Sequence, residues 1–138
     1  MDAPDQWQVL ESCPVADEAT WLRNATAFVA AFVVPAKREH WLDLLTRRPR
    51  QIFGNSHKLH SALDRRTCRK VGDVPPASLR GEGIFYAFSD APKVVPTKHA
   101  ELVTGGSDAL FSLVPGELVL YFFHENEVWL CGARRGAV

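Results

Sequence analysis

Two short runs near the C-terminal end, at 117–123 and 127–131, constrain the fold of this chain more than any other feature. Both runs are mainly apolar and contain β-branched and aromatic residues, and three polar residues separate them. Runs of this length and composition on either side of a polar turn predict a β-hairpin. We therefore expect an antiparallel pair of strands in the C-terminal half.

The other elements of that half are predicted from turn and cap residues. Pro115 and Gly116 are typical of a helix end, and Ser107 is a suitable N-cap, so we expect a short helix between them. Residues 91–96 combine proline and lysine, which discourage strand addition, and are expected to protect a sheet edge. The predicted elements are a loop at 72–83, a strand at 84–88 and short helices at 97–103 and 108–114.

Apolar residues at helical spacing indicate a helix over 36–48. Trp41, Leu44 and Leu45 share one face with His40, which we expect to pack there. Pro35 suits the first turn of this helix, and Pro49 ends it. A second helix with Leu59, Ala62 and Leu63 is expected to follow, capped by Asn55 or Ser56.

The longest apolar stretch, at 26–34, predicts a buried strand. Its β-branched and aromatic residues favour extended structure, and Pro35 disfavours helical geometry in the residue before it. Ala25, Val29 and Phe32 also keep helical spacing, so a helix over 17–34 is the alternative.

Together these elements predict a single α+β domain over 16–138, preceded by an irregular arm at 1–15. A length of 138 residues suits one domain. We expect a mixed or antiparallel sheet of three to five strands covered by helices, in the order (α)βααβααββ. The predicted core consists of Trp41, Leu44, Leu45, Phe85, Val119, Tyr121 and Leu130.

Charge is distributed unevenly although the chain has no net charge. Residues 37–70 carry ten basic and three acidic side chains, a balance of +7, whereas 1–36 and 71–138 carry −4 and −3. Such a cluster is either a solvated surface, in which helix C-termini attract cations for their own stability, or a binding surface for an anionic partner, since guanidinium groups bind carboxylates and phosphates through two parallel hydrogen bonds. The candidate binding residues are Arg47, Arg48, Arg50, Lys58, Arg65, Arg66, Arg69 and Lys70.

These residues favour a non-catalytic protein that binds an acidic protein surface, for example a bacterial inhibitor or immunity-type protein. Nucleic-acid binding through residues 47–70 is the first alternative, although only Phe53 interleaves with the charges as a stacking residue. The second alternative is a small enzyme with a site near Ser89, Asp90 and His99.

No cofactor or metal site is predicted. His57 and His60 are three residues apart on an expected helix, but a zinc site needs three or four protein ligands and no further pair completes the set. Three cysteines far apart in sequence, Cys13, Cys68 and Cys131, do not indicate a disulfide framework. With an acidic N-terminus and no apolar run long enough to span a bilayer, we expect a cytoplasmic protein with no membrane partner.

Overall fold

The computed structural model of the chain describes residues 6–49, 52–72, 81–87, 91–102, 108–123 and 127–132. In these ranges the helices come first: α1 (Gln6–Glu11), α2 (Glu18–Phe32), α3 (Arg38–Arg47) and α4 (Ile52–Ala62). The strands follow as β1 (Cys68–Val71), β2 (Glu82–Tyr86), β3 (Lys93–Pro96), β4 (Ala109–Val114), β5 (Leu118–Phe123) and β6 (Glu127–Gly132). Short 3-10 helices lie at Pro35–Lys37 and Thr97–Leu102.

The six strands form one antiparallel sheet in the order β1-β6-β5-β4-β2-β3. The predicted α+β domain is therefore confirmed, but the sheet has six strands instead of three to five. The predicted order of elements is also wrong, since the helices precede the sheet. The predicted hairpin is confirmed as β5 and β6, with Tyr121 opposite Trp129.

The segment 26–34 belongs to helix α2 and not to the predicted strand. Buried Ala25, Phe28 and Phe32 form a stripe along one side of the helix. Asp17 caps the helix by accepting a hydrogen bond from the backbone N–H of Thr20 at 3.2 Å. Packing of the apolar stripe against the sheet outweighs the β-propensity of the residues, and extended geometry is confined to Val33 and Val34, next to Pro35.

Residues 109–114 form strand β4 and not the predicted helix. The strand is central, between β5 and β2, and Ala109 through Ser112 are buried. A continuous apolar run is typical of a strand covered on both faces. Pro115 and Gly116 form the turn between β4 and β5, where Gly116 has a φ of +71° and the N–H of Glu117 donates to Val114 at 2.9 Å. Pro115 and Gly116 were predicted to end a helix, but the turn that they form joins two strands.

The helices α3 and α4 agree with the sequence prediction, except at their beginnings. The turn Pro35–Lys37 precedes α3, and α4 begins at Ile52, before both predicted caps. Ile52 is fully buried, so tertiary packing sets this boundary. Residues expected as an irregular arm include α1, whose Leu10 is also fully buried.

Both faces of the sheet bury apolar side chains. Helices α2 to α4 cover one face, where Tyr86 donates a hydrogen bond to the carbonyl of Trp21 at 2.6 Å and Ser112 donates to Asn24 at 2.6 Å. On the opposite face, Leu10 of α1 packs in a second cluster with residues such as Phe85 and Phe111. All seven predicted core residues are buried, so that prediction is confirmed.

The two outer strands of the sheet are β3 and β1, and further backbone pairs with the outer edge of β3. At β3 the backbone of residues 14–16 continues the pairing, since Val94 donates to the carbonyl of Pro14 and Ala16 donates to that of Pro92, both at 2.8 Å. Strand β1, which the sequence did not predict, is the opposite edge and pairs with β6.

Candidate functional site

A groove of about 540 Å³ lies on the surface of α3 and α4 and is lined by Ala36, Lys37, His40, Trp41, Lys58 and Ser61. Helical spacing explains the lining, because Lys37 and His40 are three residues apart, as are Lys58 and Ser61. Trp41 forms part of the floor and is only 1% exposed. His40 is exposed and lies edge-on to Trp41, with 5.4 Å between the ring centroids, so its predicted burial is wrong.

A second depression of about 430 Å³ meets the first at His40 and continues along α3, where His40, Asp43, Leu44, Arg47 and Arg48 line it. We call the two depressions together the basic groove. Arg47 pairs with Asp43 at 3.1 Å, but both side chains are more than half exposed, so the pair contributes little to stability. Within the described ranges, the side chains of Lys37, Arg48 and Lys58 have no hydrogen-bonded or ion-paired partner.

A second set of polar and aromatic side chains lies at the other end of α4, against strands β1 and β6. We call His60, Arg65, Lys70, Glu127 and Trp129 the β1–β6 cluster. The Trp129 indole donates to Glu127 Oε1 at 2.9 Å, and His60 Nε2 lies 3.4 Å from the same oxygen. Lys70 Nζ is 3.9 Å from Glu127 Oε2, and the Arg65 guanidinium lies 4.4 Å from the centroid of the Trp129 ring.

The β1–β6 cluster compensates part of its own charge. The hydrogen bond from Trp129 lowers the pKa of Glu127 below its ordinary value, and the nearby Lys70 and His60 lower it further. His60 is also held between two rings: it stacks on Phe123 at 4.4 Å and lies edge-on to Trp129 at 5.1 Å. Lys70 and Arg65 therefore have partners in the same chain, although the pair of Lys70 is long and that side chain is 60% exposed.

The structure divides the eight predicted binding residues among different environments. Arg47, Arg48 and Lys58 line the basic groove, while Arg65 and Lys70 belong to the β1–β6 cluster. Arg66 is paired with Asp64 at 3.2 Å, and its hydrogen bonds lower the pKa of Asp64. Arg69 is half-buried opposite Leu130, and Arg50 lies outside the described residues.

Of the residues that line the groove, sequence reasoning assigned only Arg47, Arg48 and Lys58 to binding and missed the others, among them Lys37 and His40. The signal available was their spacing, because Lys37 ends the 3-10 turn that leads directly into α3 and residues three apart share a helix face. It was overlooked because Lys37 lies outside the arginine-rich ends of the helices and His40 was assigned to the apolar side.

The structure adds little support for the other two sites considered from the sequence, the enzyme site and the pair of histidines. Ser89 and Asp90 lie outside the described residues, and His99 is half-buried in the 3-10 helix Thr97–Leu102. The side chain of His57 is also outside the described part of the chain. Across the described ranges there is no group of three or more His, Cys, Asp or Glu side chains placed to hold a metal ion.

Comparison with models of protein families, with curated proteins and with solved structures gave no match to this chain. None of the helices in the described residues has the length and apolarity needed to cross a membrane. The basic groove therefore stands as the candidate functional site on its geometry alone.

Proposed function

We propose that this chain is a non-catalytic binding protein whose basic groove takes an acidic segment of a partner protein. The observation that carries the proposal is the set of unpaired cations, Lys37, Lys58 and Arg48, around a groove with Trp41 in its floor. Complementary charges across an interface steer association and fix the orientation of the partners.

The composition of the groove favours a segment that carries carboxylates beside apolar side chains. Lys37 and Lys58 come from different helices and line the same depression, together with Ala36 and Trp41. Carboxylates of the partner would neutralise the two lysines, and its apolar groups would pack against Ala36, which is exposed at the rim. Burial of the apolar part supplies affinity that charge alone does not provide in water.

A protein partner is favoured over nucleic acid by two features of the same surface. Asp43 lines the same depression as Arg47 and Arg48, so this surface presents a carboxylate as well as cations, a mixture that suits a protein better than a uniformly anionic phosphate backbone. Trp41 is only 1% exposed, so it offers no ring on which a base could stack. A protein surface with mixed charges can instead place a cation opposite Asp43.

A bacterial inhibitor or immunity-type protein is the concrete role that we propose. Such a protein acts by covering the surface of its partner, so a charged groove without catalytic groups is sufficient for it. The role requires a tight complex with one acidic target, which makes it open to a direct test.

The test is quantitative affinity capture from extracts of the native host, with and without nuclease treatment, using three forms of the full chain: wild type, the double variant Lys37→Glu/Lys58→Glu, and the control Lys98→Glu. Lys98 is exposed in the 3-10 helix and is not part of the groove. We expect an acidic protein that wild type and the control retain and that the double variant loses by at least about tenfold, since each reversed charge turns attraction into repulsion. Binding should weaken when salt is raised to about 0.5 M, because salt screens exposed charges.

Three outcomes contradict the proposal. Recovery of no protein at either salt concentration, or equal recovery by all three forms, means that the groove is not the interface. If binding depends on the groove lysines but disappears after nuclease treatment, the ligand is nucleic acid and the first alternative from the sequence is correct.

A further inference from the structure

Two of the three cysteines, which are 63 positions apart in sequence, lie directly opposite each other in the sheet. Cys68 of β1 is the register partner of Cys131 of β6, and both are free thiols. Both belong to the buried cluster on the face covered by α2 to α4. Their side chains therefore point to the same side of the sheet, which cysteines in adjacent strands need in order to react with each other.

Opposite residues in an antiparallel sheet form either hydrogen-bonded or non-hydrogen-bonded pairs, and the Cα atoms are closer in the second kind. The hydrogen-bond pattern shows that the two cysteines form a pair of the second kind. The N–H of Gly132 donates to the carbonyl of Thr67 at 2.8 Å, so Thr67 and Gly132 form a hydrogen-bonded pair. The next pair along the strands, Cys68 and Cys131, is then a non-hydrogen-bonded pair, in which the Cα atoms are about 4.5 Å apart. That spacing lies within the range of about 4.4–6.8 Å that a disulfide spans.

The surroundings of the sulfur atoms distinguish the two thiols. A hydrogen bond with Cys131 lowers the pKa of Cys68, and the same interaction raises the pKa of Cys131. The Thr67 hydroxyl, 3.7 Å from Cys68 Sγ, can donate to the thiolate and lowers the pKa of Cys68 further, whereas the protonated Cys68 donates to the carbonyl of Phe32 at 3.8 Å. Cys68 is thus the thiol that more readily supplies a thiolate, and the thiolate is the nucleophile in disulfide exchange.

From this geometry we propose that Cys68 and Cys131 are a redox modification site, which closes to a cross-strand disulfide by exchange with a small-molecule disulfide. The Cys68 thiolate attacks one sulfur of the small molecule, forms a mixed disulfide and releases one small-molecule thiolate. Cys131 then loses its proton to solvent and attacks Cys68 Sγ, which forms the protein disulfide and expels the second small-molecule thiolate. The two protein thiols lose two electrons and two protons, and the small-molecule disulfide takes up the two electrons.

The position of the pair in the fold determines how it reacts and what the bond does. Cys68 and Cys131 are 2% and 0% exposed, so the reagent reaches them when the edge strand β1 opens. Once formed, the bond fastens β1 to β6 and closes a loop of about 60 residues, which restricts the unfolded chain. Oxidation therefore stabilises the fold and holds Lys70, which follows on β1, against Glu127.

The test equilibrates the full chain in glutathione buffers of increasing oxidised fraction, both from the native state and by refolding from urea. Acid quenching, alkylation of free thiols and tryptic mapping by mass spectrometry then locate the bonds. Trypsin separates the three cysteines, since Cys68 is released in the tripeptide 67–69. We expect that tripeptide to be linked by a disulfide to the peptide that contains Cys131. The bond should form faster during refolding than from the native state. The oxidised form should have a melting temperature roughly 10 °C higher than the reduced form.

The variants Cys13→Ser and Cys131→Ser complete the experiment. Cys13 is half-buried and packs in the second cluster, on the other face of the sheet, so its replacement should leave the 68–131 bond and the shift in melting temperature unchanged. Cys131→Ser should abolish both. The proposal is overturned if the refolding arm yields no 68–131 bond in the most oxidising buffer, if Cys68 carries only glutathione, or if Cys13 is the partner instead.

Discussion

The basic groove and the β1–β6 cluster take their cations from the same stretch of sequence, residues 37–70, yet they differ in how those cations are used. In the cluster, Lys70 faces Glu127 and Arg65 lies over Trp129. In the groove, Lys37 and Lys58 have no partner among the described residues. A local charge balance of +7 therefore does not make one binding surface, because the fold neutralises part of it.

The origin of the neutralising groups explains the difference. Glu127 and Trp129 belong to β6, which is distant in sequence from the basic stretch, and antiparallel pairing with β1 brings them beside Lys70. The groove is built from the neighbouring helices α3 and α4, and the carboxylate that lines it, Asp43, is paired with Arg47 on the same helix. Unpaired cations remain where no distant strand contributes an acid, and those cations are the ones available to a partner.

The largest effect is expected from the floor of the groove. Trp41→Ala removes a large side chain that is 1% exposed, and we expect a loss of roughly 3–5 kcal/mol in the free energy of unfolding, measured by urea denaturation. Lys58→Ala, at the rim, should stay within about 0.5 kcal/mol. A similar cost at both positions would show that the rim is part of the structural core and not a free surface.

Loss of Glu127 should be the next largest effect, because this carboxylate accepts from Trp129 and faces both His60 and Lys70. We expect Glu127→Ala to cost about 1–2 kcal/mol in chemical denaturation. The matched change in the groove, Asp43→Ala, removes one exposed pair and should cost only about 0.3–0.5 kcal/mol. Equal costs would contradict the distinction between a neutralised cluster and a free groove.

The contribution of Glu127 should also depend on pH in a defined direction. Because the folded state lowers the pKa of Glu127 below its ordinary value of 4.5, folding favours the ionised carboxylate. The difference in stability between wild type and Glu127→Ala should be fully present near neutral pH and should decline as pH falls below about 4.5 and through the lower folded-state pKa. A difference that persists unchanged at about pH 2 would refute this assignment.

The smallest effect is expected from the cation over Trp129. Arg65→Met keeps the apolar stem but removes the guanidinium, and we expect a loss of about 0.5–1 kcal/mol in the free energy of unfolding. Arg48→Met in the groove serves as the control and should have no measurable cost, since Arg48 has no described partner. The comparison fails if Arg48→Met is the more destabilising change.

The elements predicted correctly from sequence share one property: their signal is local. Trp41, Leu44 and Leu45 recur at helical spacing between two prolines, and α3 lies between those prolines. The β5–β6 hairpin follows from two short runs separated by polar residues. Each pattern is complete within about fifteen residues, so packing elsewhere in the chain did not have to be known.

The errors arose where the same residues suit two structures. Residues 26–34 fit a strand by composition and a helix by spacing, and the stripe of Ala25, Phe28 and Phe32 packs against the sheet as a helix. Residues 109–114 adopt a strand because β2 and β5 both pair with them. In each case the deciding free energy comes from residues distant in sequence, which no local propensity contains.

By itself the sequence determined the α+β class, the helix α3, the hairpin, the seven core residues and the uneven distribution of charge, because hydrophobic periodicity and composition are properties of short segments. The tertiary structure decided which cations remain free, by placing Glu127 beside Lys70 and leaving Lys37 and Lys58 unpaired. It also decided that Cys68 and Cys131 are neighbours. The pairing of Lys70 with Glu127 and of Cys68 with Cys131 depends on the register of β1 against β6, and register joins residues that are far apart in the chain.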